Sequence, residues 1–110
     1  MSLTLYGLKN CDTCKNALKA LEGAGKTVAF VDIRAEADLP RLLPGWLDVA
    51  GSDLLINRRS TTWRTLSEAA RAQPALDLLT AHATLIKRPV IAHGNDVHVG
   101  WSKDVQAALL

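Results

Sequence analysis

The opening 33 residues constrain the fold more than any other part of the chain. Leu3, Leu5 and Gly7 alternate with Thr4, Tyr6 and Leu8, which predicts a strand over residues 3–7. Cys14, Ala17, Leu18 and Leu21 then fall at i, i+3, i+4 and i+7, while Lys15, Asn16, Lys19 and Glu22 face away. That spacing predicts an amphipathic helix over 12–23, ended by Gly23 and Gly25. Residues 27–33, Thr-Val-Ala-Phe-Val-Asp-Ile, are β-rich and apolar on both alternating faces, the pattern of a central or near-central strand covered on two sides. Strand, helix and strand at this spacing form a βαβ unit with a right-handed crossover, so the first two strands are expected to be parallel.

Beyond this unit the apolar pattern of Leu39, Leu42, Leu43, Trp46, Leu47 and Val49 predicts a helix over 38–50 despite Pro40, Pro44 and Gly45. A polar connection at 57–64 leads to a helix near 62–70, and Pro74 is placed to start another over 74–81. Val90 to His93, a Gly94-Asn95 turn and Asp96 to Gly100 predict a hairpin, followed by a short helix from about Ser102. The order β-α-β, several helices, β-β-α matches a thioredoxin-like α/β mixed sheet. The whole of 1–110 is then one domain, with a helical insertion at approximately 36–83.

Composition narrows the function classes. Apolar residues make up 48% of the chain and charged residues 22%, which disfavours disorder and coiled coil. The formal charge of +2 is spread along the chain rather than gathered in a basic tail, so no direct nucleic-acid partner is expected. A domain of this size buries roughly two-thirds of its unfolded surface and needs no metal or disulfide staple. The longest apolar runs are four residues, as in Val28 to Val31, far below a membrane span. With no signal-like segment at the N-terminus, the chain is expected to be cytoplasmic, where two nearby thiols point to catalysis, redox sensing or metal binding.

Those thiols lie in Cys11-Asp12-Thr13-Cys14, where the first strand's loop becomes the first helix. The leading N–H groups of a helix lack internal partners and carry partial positive charge, which favours a thiolate there. Cys11 is therefore the expected nucleophile, and Cys14, one turn on, the expected resolving thiol. Asp12 opposes thiolate formation, whereas Lys9 and Lys15 support it. Other readings stay open. A CxxC can be half of a zinc site, although no second CxxC exists and His82, His93 and His98 show no paired spacing. Cys14 also fits a buried small apolar residue. Arg58, Arg59 and Arg64 fit a solvated charge run, Trp63 and Trp101 fit packing roles, and His93 and His98 fit hairpin surface positions.

Leu5-Tyr6-Gly7, Asn10 to Lys15, Asn57 to Arg64, Thr84 to Val90 and Val99-Gly100-Trp101-Ser102 together resemble the arsenate reductase (ArsC) family in its broad sense. Within it, the pattern is most similar to the small Spx/YffB-like proteins. The resemblance implies a thioredoxin (glutaredoxin-like) fold with an inserted helical subdomain, a nucleophilic Cys11, and Arg88 facing it beside a cis Pro89. It also implies Asn10, Arg59 and Pro89 as substrate-binding residues, no bound cofactor or metal, and glutathione as co-substrate. Members reduce arsenate with glutathione and glutaredoxin, act as glutathione-dependent thiol reductases, or bind RNA polymerase as redox-sensitive regulators. The arsenate reductases hold their oxyanion with three arginines, of which only Arg88 has a clear counterpart. The others correspond to Gly100 and to the Ser52-Asp53 region, which argues against arsenate as substrate. The expectation is a glutathione-linked thiol–disulfide oxidoreductase acting on a small disulfide, with an RNA polymerase-binding redox regulator as the alternative.

Overall fold

A computed structural model describes residues Ser2–Leu110. The chain forms two compact units, one made of the chain up to Ala37 together with Arg88–Leu110, the other of Asp38–Lys87.

The first unit holds β1 (Ser2–Gly7), α1 (Asp12–Gly23), β2 (Thr27–Asp32), β3 (Val90–His93), β4 (Asp96–Val99) and α7 (Lys103–Leu109). The strands form a mixed sheet in the order β2-β1-β3-β4. β1 and β2 pair in parallel from Ser2↔Thr27 to Gly7↔Asp32, β3 runs antiparallel to β1 through Leu5↔Ile91, and β3–β4 is the expected hairpin. Strand alternation sends Leu3 and Leu5 to one face, where they pack with Ile91, with Cys14, Ala17 and Leu21 of α1, and with Val105 and Leu109 of α7. Ser102 starts α7 by accepting a hydrogen bond from the Val105 N–H at 3.4 Å.

One expectation is corrected here. β2 lies at the edge of the sheet, not at or near its centre, and Thr27 and Ala29 are exposed. Its second apolar face does not reflect a strand flanked on both sides. The central strand next to it is β1, whose more polar alternation hides that position.

The second unit is the helical segment: α2 (Leu39–Ala50), α3 (Ser52–Leu55), α4 (Thr61–Thr65), α5 (Glu68–Arg71), α6 (Ala75–Ala81) and a 3₁₀ turn at Ala83–Leu85. Leu39, Leu43 and Trp46 at i, i+4 and i+7 bury one face of α2, so the helix tolerates Pro44 and the bond its missing N–H forfeits. α2 packs against α6, which buries Leu78 and Leu79. The helix expected near 62–70 is instead two short helices. Ser60 caps the first by accepting from Trp63 N–H, and Ser67 caps the second by accepting from Ala70 N–H, so Leu66 and Ser67 take extended backbone. A second serine cap restarts the helix where a single period would have run on. An isolated antiparallel bridge between Ile56 and Ile86 closes this unit, with Lys87 N–H donating to Leu55 O and Asn57 N–H to Leu85 O, both at 2.8 Å.

Candidate active site

β1 delivers the cysteines to their places. Leu3 and Leu5 fill the α1 face of the sheet, and the next residue of that register is Gly7. Without a side chain there, α1 approaches so closely that a Cβ built on Gly7 would lie 2.5 Å from Cys14 Sγ and 3.1 Å from Cys14 Cβ. The sulfur of Cys14 thus sits where a side chain of β1 would otherwise be, fully buried in the core. The turn after β1 is closed by Cys11 N–H donating to Leu8 O at 3.1 Å. Cys11 occupies the N-cap of α1 with extended backbone (φ −96°, ψ 116°), and its carbonyl accepts the first helical bond from Lys15 N–H at 3.0 Å.

The two thiols have opposite electrostatics. Burial pushes the half-buried Cys11 thiol up, but the Cys14 N–H, the Cys14 thiol and the hydrogen bonding and positive charge of Arg88 outweigh it and hold its pKa below the ordinary value. Burial dominates at Cys14 and, with the neighbouring Cys11, pushes its thiol up to about 12 despite hydrogen bonding at Leu8 and the charge of Arg88. The thiolate form is thus favoured at Cys11 relative to an ordinary cysteine, while Cys14 is held protonated beside it. Chemically, such a pair offers a nucleophilic sulfur, a cation for its charge or for an incoming anion, and a second sulfur beside it.

Cys11, Cys14 and Arg88 are therefore brought together, and the Arg88–Pro89 bond is cis. Pro89 is buried, and its carbonyl accepts Gly100 N–H at 2.8 Å. Asn10 is exposed in the turn before Cys11. Arg59 belongs to the second unit, exposed in a turn where its N–H donates to Asn57 Oδ1 at 3.1 Å. Beside it, Trp63 is flanked by Arg58 and Arg71, whose guanidinium carbons lie 5.5 and 5.0 Å from the ring centroid. His93 and His98 are half-buried on the hairpin strands, and Trp101 packs against the α1 core. Gly100 has φ +85°, a backbone conformation that disfavours any side chain at this position. Among the described residues no group of three or more His, Cys, Asp or Glu could hold a metal ion, and no helix is long and apolar enough to cross a membrane. Sequence reasoning missed Gly7 as part of the site; its signal was a glycine inside an otherwise apolar strand register.

Comparison with known proteins agrees with this fold. A Haemophilus influenzae protein of uncharacterised function is 39% identical, over 96% of this chain and 97% of its own. The solved YffB protein superposes with a TM-score of 0.87 at 35% identity, covering 99% of both chains. An arsenate reductase-related protein from Brucella melitensis superposes at 0.78 with 34% identity, over 98% of this chain and 93% of that one. A glutaredoxin from Archaeoglobus fulgidus shares the fold at a TM-score of 0.52 and 15% identity, over 98% of this chain and 84% of its own. The family and the thioredoxin-like fold support a function of the thiol-oxidoreductase type. With the ArsC family matched over residues 6–109, around a cysteine that opens the first helix of a glutaredoxin-like sheet, the chain belongs to the ArsC family.

Proposed function

We propose that the protein is a cytoplasmic, glutathione-linked thiol–disulfide reductase of small disulfides, in which residues 1–110 act as one domain with the helical segment as an insertion. The observation that carries the reading is the half-buried Cys11 at the start of α1, its pKa lowered by Cys14 and Arg88. In a glutathione mixed disulfide R–S–S–G, the Cys11 thiolate attacks the glutathione sulfur. The Cys11–S–S–G bond forms, the R–S bond breaks, and R–S⁻ leaves and takes a proton from solvent. A second glutathione thiolate then attacks the bound glutathione sulfur, which releases glutathione disulfide and regenerates Cys11. Arg88 steadies the Cys11 thiolate and offers a cation to a glutathione carboxylate, and Asn10 and Pro89 of the same unit complete the proposed substrate-binding set. Arsenate is not the proposed substrate, because Arg88 lacks the two partner arginines of a planar, multidentate clamp.

The contact between the two thiols also favours a second reading, a Cys11–Cys14 redox switch that controls binding to RNA polymerase. Turnover of a glutathione mixed disulfide by wild type, Cys11→Ser and Cys14→Ser, run beside polymerase binding in reduced and oxidised states, separates them. The reductase requires that Cys11→Ser abolish turnover while Cys14→Ser retains part of it. Absence of turnover, with polymerase binding altered equally by either substitution, would establish the switch.

A further inference from the structure

The first unit carries a cavity of about 320 Å³, lined by residues that flank Cys11 in the chain, that the proposed reaction does not use. Leu8, Leu18 and Phe30 form its walls with the aliphatic stems of Lys9 and Lys15, the lining is almost wholly apolar, and the exposed lysines carry their charge outside it. It is tied to Cys11 through the main chain, because Leu8 accepts the Cys11 N–H and Lys15 donates to the Cys11 carbonyl. Leu18 and Phe30 pack on the core by one side and are only half-buried. Phe30 remains accessible because β2 is an edge strand. Among the described residues neither lysine is in a salt bridge. Asp32 acts on Lys9 only through space, since its carboxylate accepts Arg34 and Ala35 N–H at 2.8 Å in its own turn.

From this juxtaposition we propose that the groove binds the non-glutathione half of the substrate, and that this half is an apolar thiol carrying a carboxylate. Leu8, Leu18 and Phe30 take its hydrocarbon part, and Lys9 and Lys15 take its anion. The proposal rests on the reductase reading and names its substrate class: R–S⁻, the group displaced by Cys11, is an apolar acid rather than a small neutral thiol. Each methylene transferred from water into the groove favours binding by up to about fourfold, and an exposed lysine–carboxylate contact adds a smaller, salt-sensitive gain.

The test alkylates full-length wild-type protein at low salt with iodoacetamide, its N-hexyl derivative and its N-carboxypentyl derivative. Each forms a Cys11 S–C bond with loss of iodide, and each rate is normalised to that reagent's reaction with free glutathione. Cys11 is expected to react at least about tenfold faster with the carboxypentyl reagent than with iodoacetamide, with the hexyl reagent between. Lys9→Gln/Lys15→Gln should bring the carboxypentyl rate down to the hexyl rate, Leu18→Asn should lower both long-chain rates, and Lys103→Gln on α7 should leave the ratio unchanged. Equal normalised rates for the three reagents overturn the groove, and a carboxypentyl advantage insensitive to both lysines overturns the anion site. A Cys11 that reacts like an ordinary cysteine with iodoacetamide but faster with the long acid keeps the groove and removes the reductase reading; ordinary reactivity with all three removes both.

Discussion

Gly7→Ala puts a methyl group into the space that the Cys14 sulfur occupies. The new Cβ meets Cys14 Sγ at 2.5 Å, Cys14 Cβ at 3.1 Å and Leu5 Cδ2 at 3.3 Å, and Cys14 and Leu5 are fully buried with nowhere to retreat. Overpacking of this kind costs about 1–3 kcal/mol. Gly7 does not have a positive φ, so alanine returns about 0.4–1 kcal/mol by restricting the unfolded chain. The net expectation is a loss of about 1–2 kcal/mol, a fall in Tm of about 4–8 °C for a chain of this size. Urea unfolding of wild type, Gly7→Ala, Cys14→Ala and the double variant reads the coupling directly. Removing the sulfur relieves the closest contact, so Gly7→Ala should cost about 1 kcal/mol less in the Cys14→Ala background. Crowding at the seat of the Cys14 thiol should disturb its hydrogen bond to Cys11, which favours the Cys11 thiolate, so the Cys11 alkylation profile of Gly7→Ala should shift to higher pH. A cost that is equal in both backgrounds, or a Gly7→Ala protein as stable as wild type, would refute the argument that Gly7 exists to seat Cys14.

Iodoacetamide should label Cys11 before Cys14, with a midpoint below that of an ordinary cysteine, and Arg88→Gln should raise that midpoint because it removes a cation and donor that favour the thiolate; mass-resolved labelling against pH checks both. Cys14 ionises near its ordinary 9.0 when unfolded but is held protonated to about 12 when folded. Its contribution to stability is therefore fully present below pH 9 and lost as pH rises towards 12, at up to about 1.4 kcal/mol per pH unit; denaturant titrations should show a shallower alkaline loss in Cys14→Ala. Asp32 has the opposite sign. Hydrogen bonds from Ala35 and Arg34 N–H hold its carboxyl below the usual range, so its contribution is present above the unfolded value of about 3.9 and disappears as pH falls through that value and the lower folded one. Asp32→Asn, which keeps an acceptor, should flatten that part of the acid unfolding profile.

The sequence was readable where one period ran without interruption and where a residue's chemistry depended only on local position. Cys14, Ala17 and Leu21 specify both the extent of α1 and the face that the structure buries, and Cys11 follows as its N-cap. The Gly94-Asn95 turn likewise placed the β3–β4 hairpin. β2 was misplaced because apolar residues on both faces do not by themselves mean cover on both sides; in this chain Val28 and Phe30 pack on the α1 core, whereas Ala29 on the other face is exposed. The break between α4 and α5 was hidden because Ser67 reads as an ordinary polar helix residue until its hydroxyl is seen to accept from Ala70 N–H. Gly7 and the Leu8–Leu18–Phe30 groove depend on long-range approach of β1, α1 and β2, which no local period encodes.

The edge position of β2 also has a consequence for how the chain must be handled while it folds. β3 and β4 close through a two-residue turn, whereas β2 finds β1 only after an entire helix has crossed over, so its pairing is the slower event. Until then Thr27-Val28-Ala29-Phe30-Val31 is a β-prone segment with no charge between Lys26 and Asp32, a template for pairing between chains. Refolding yield should therefore fall with protein concentration well below the solubility of the folded form. A charge at exposed Ala29, as in Ala29→Lys, should restore it while leaving Val28 and Phe30 on α1 untouched.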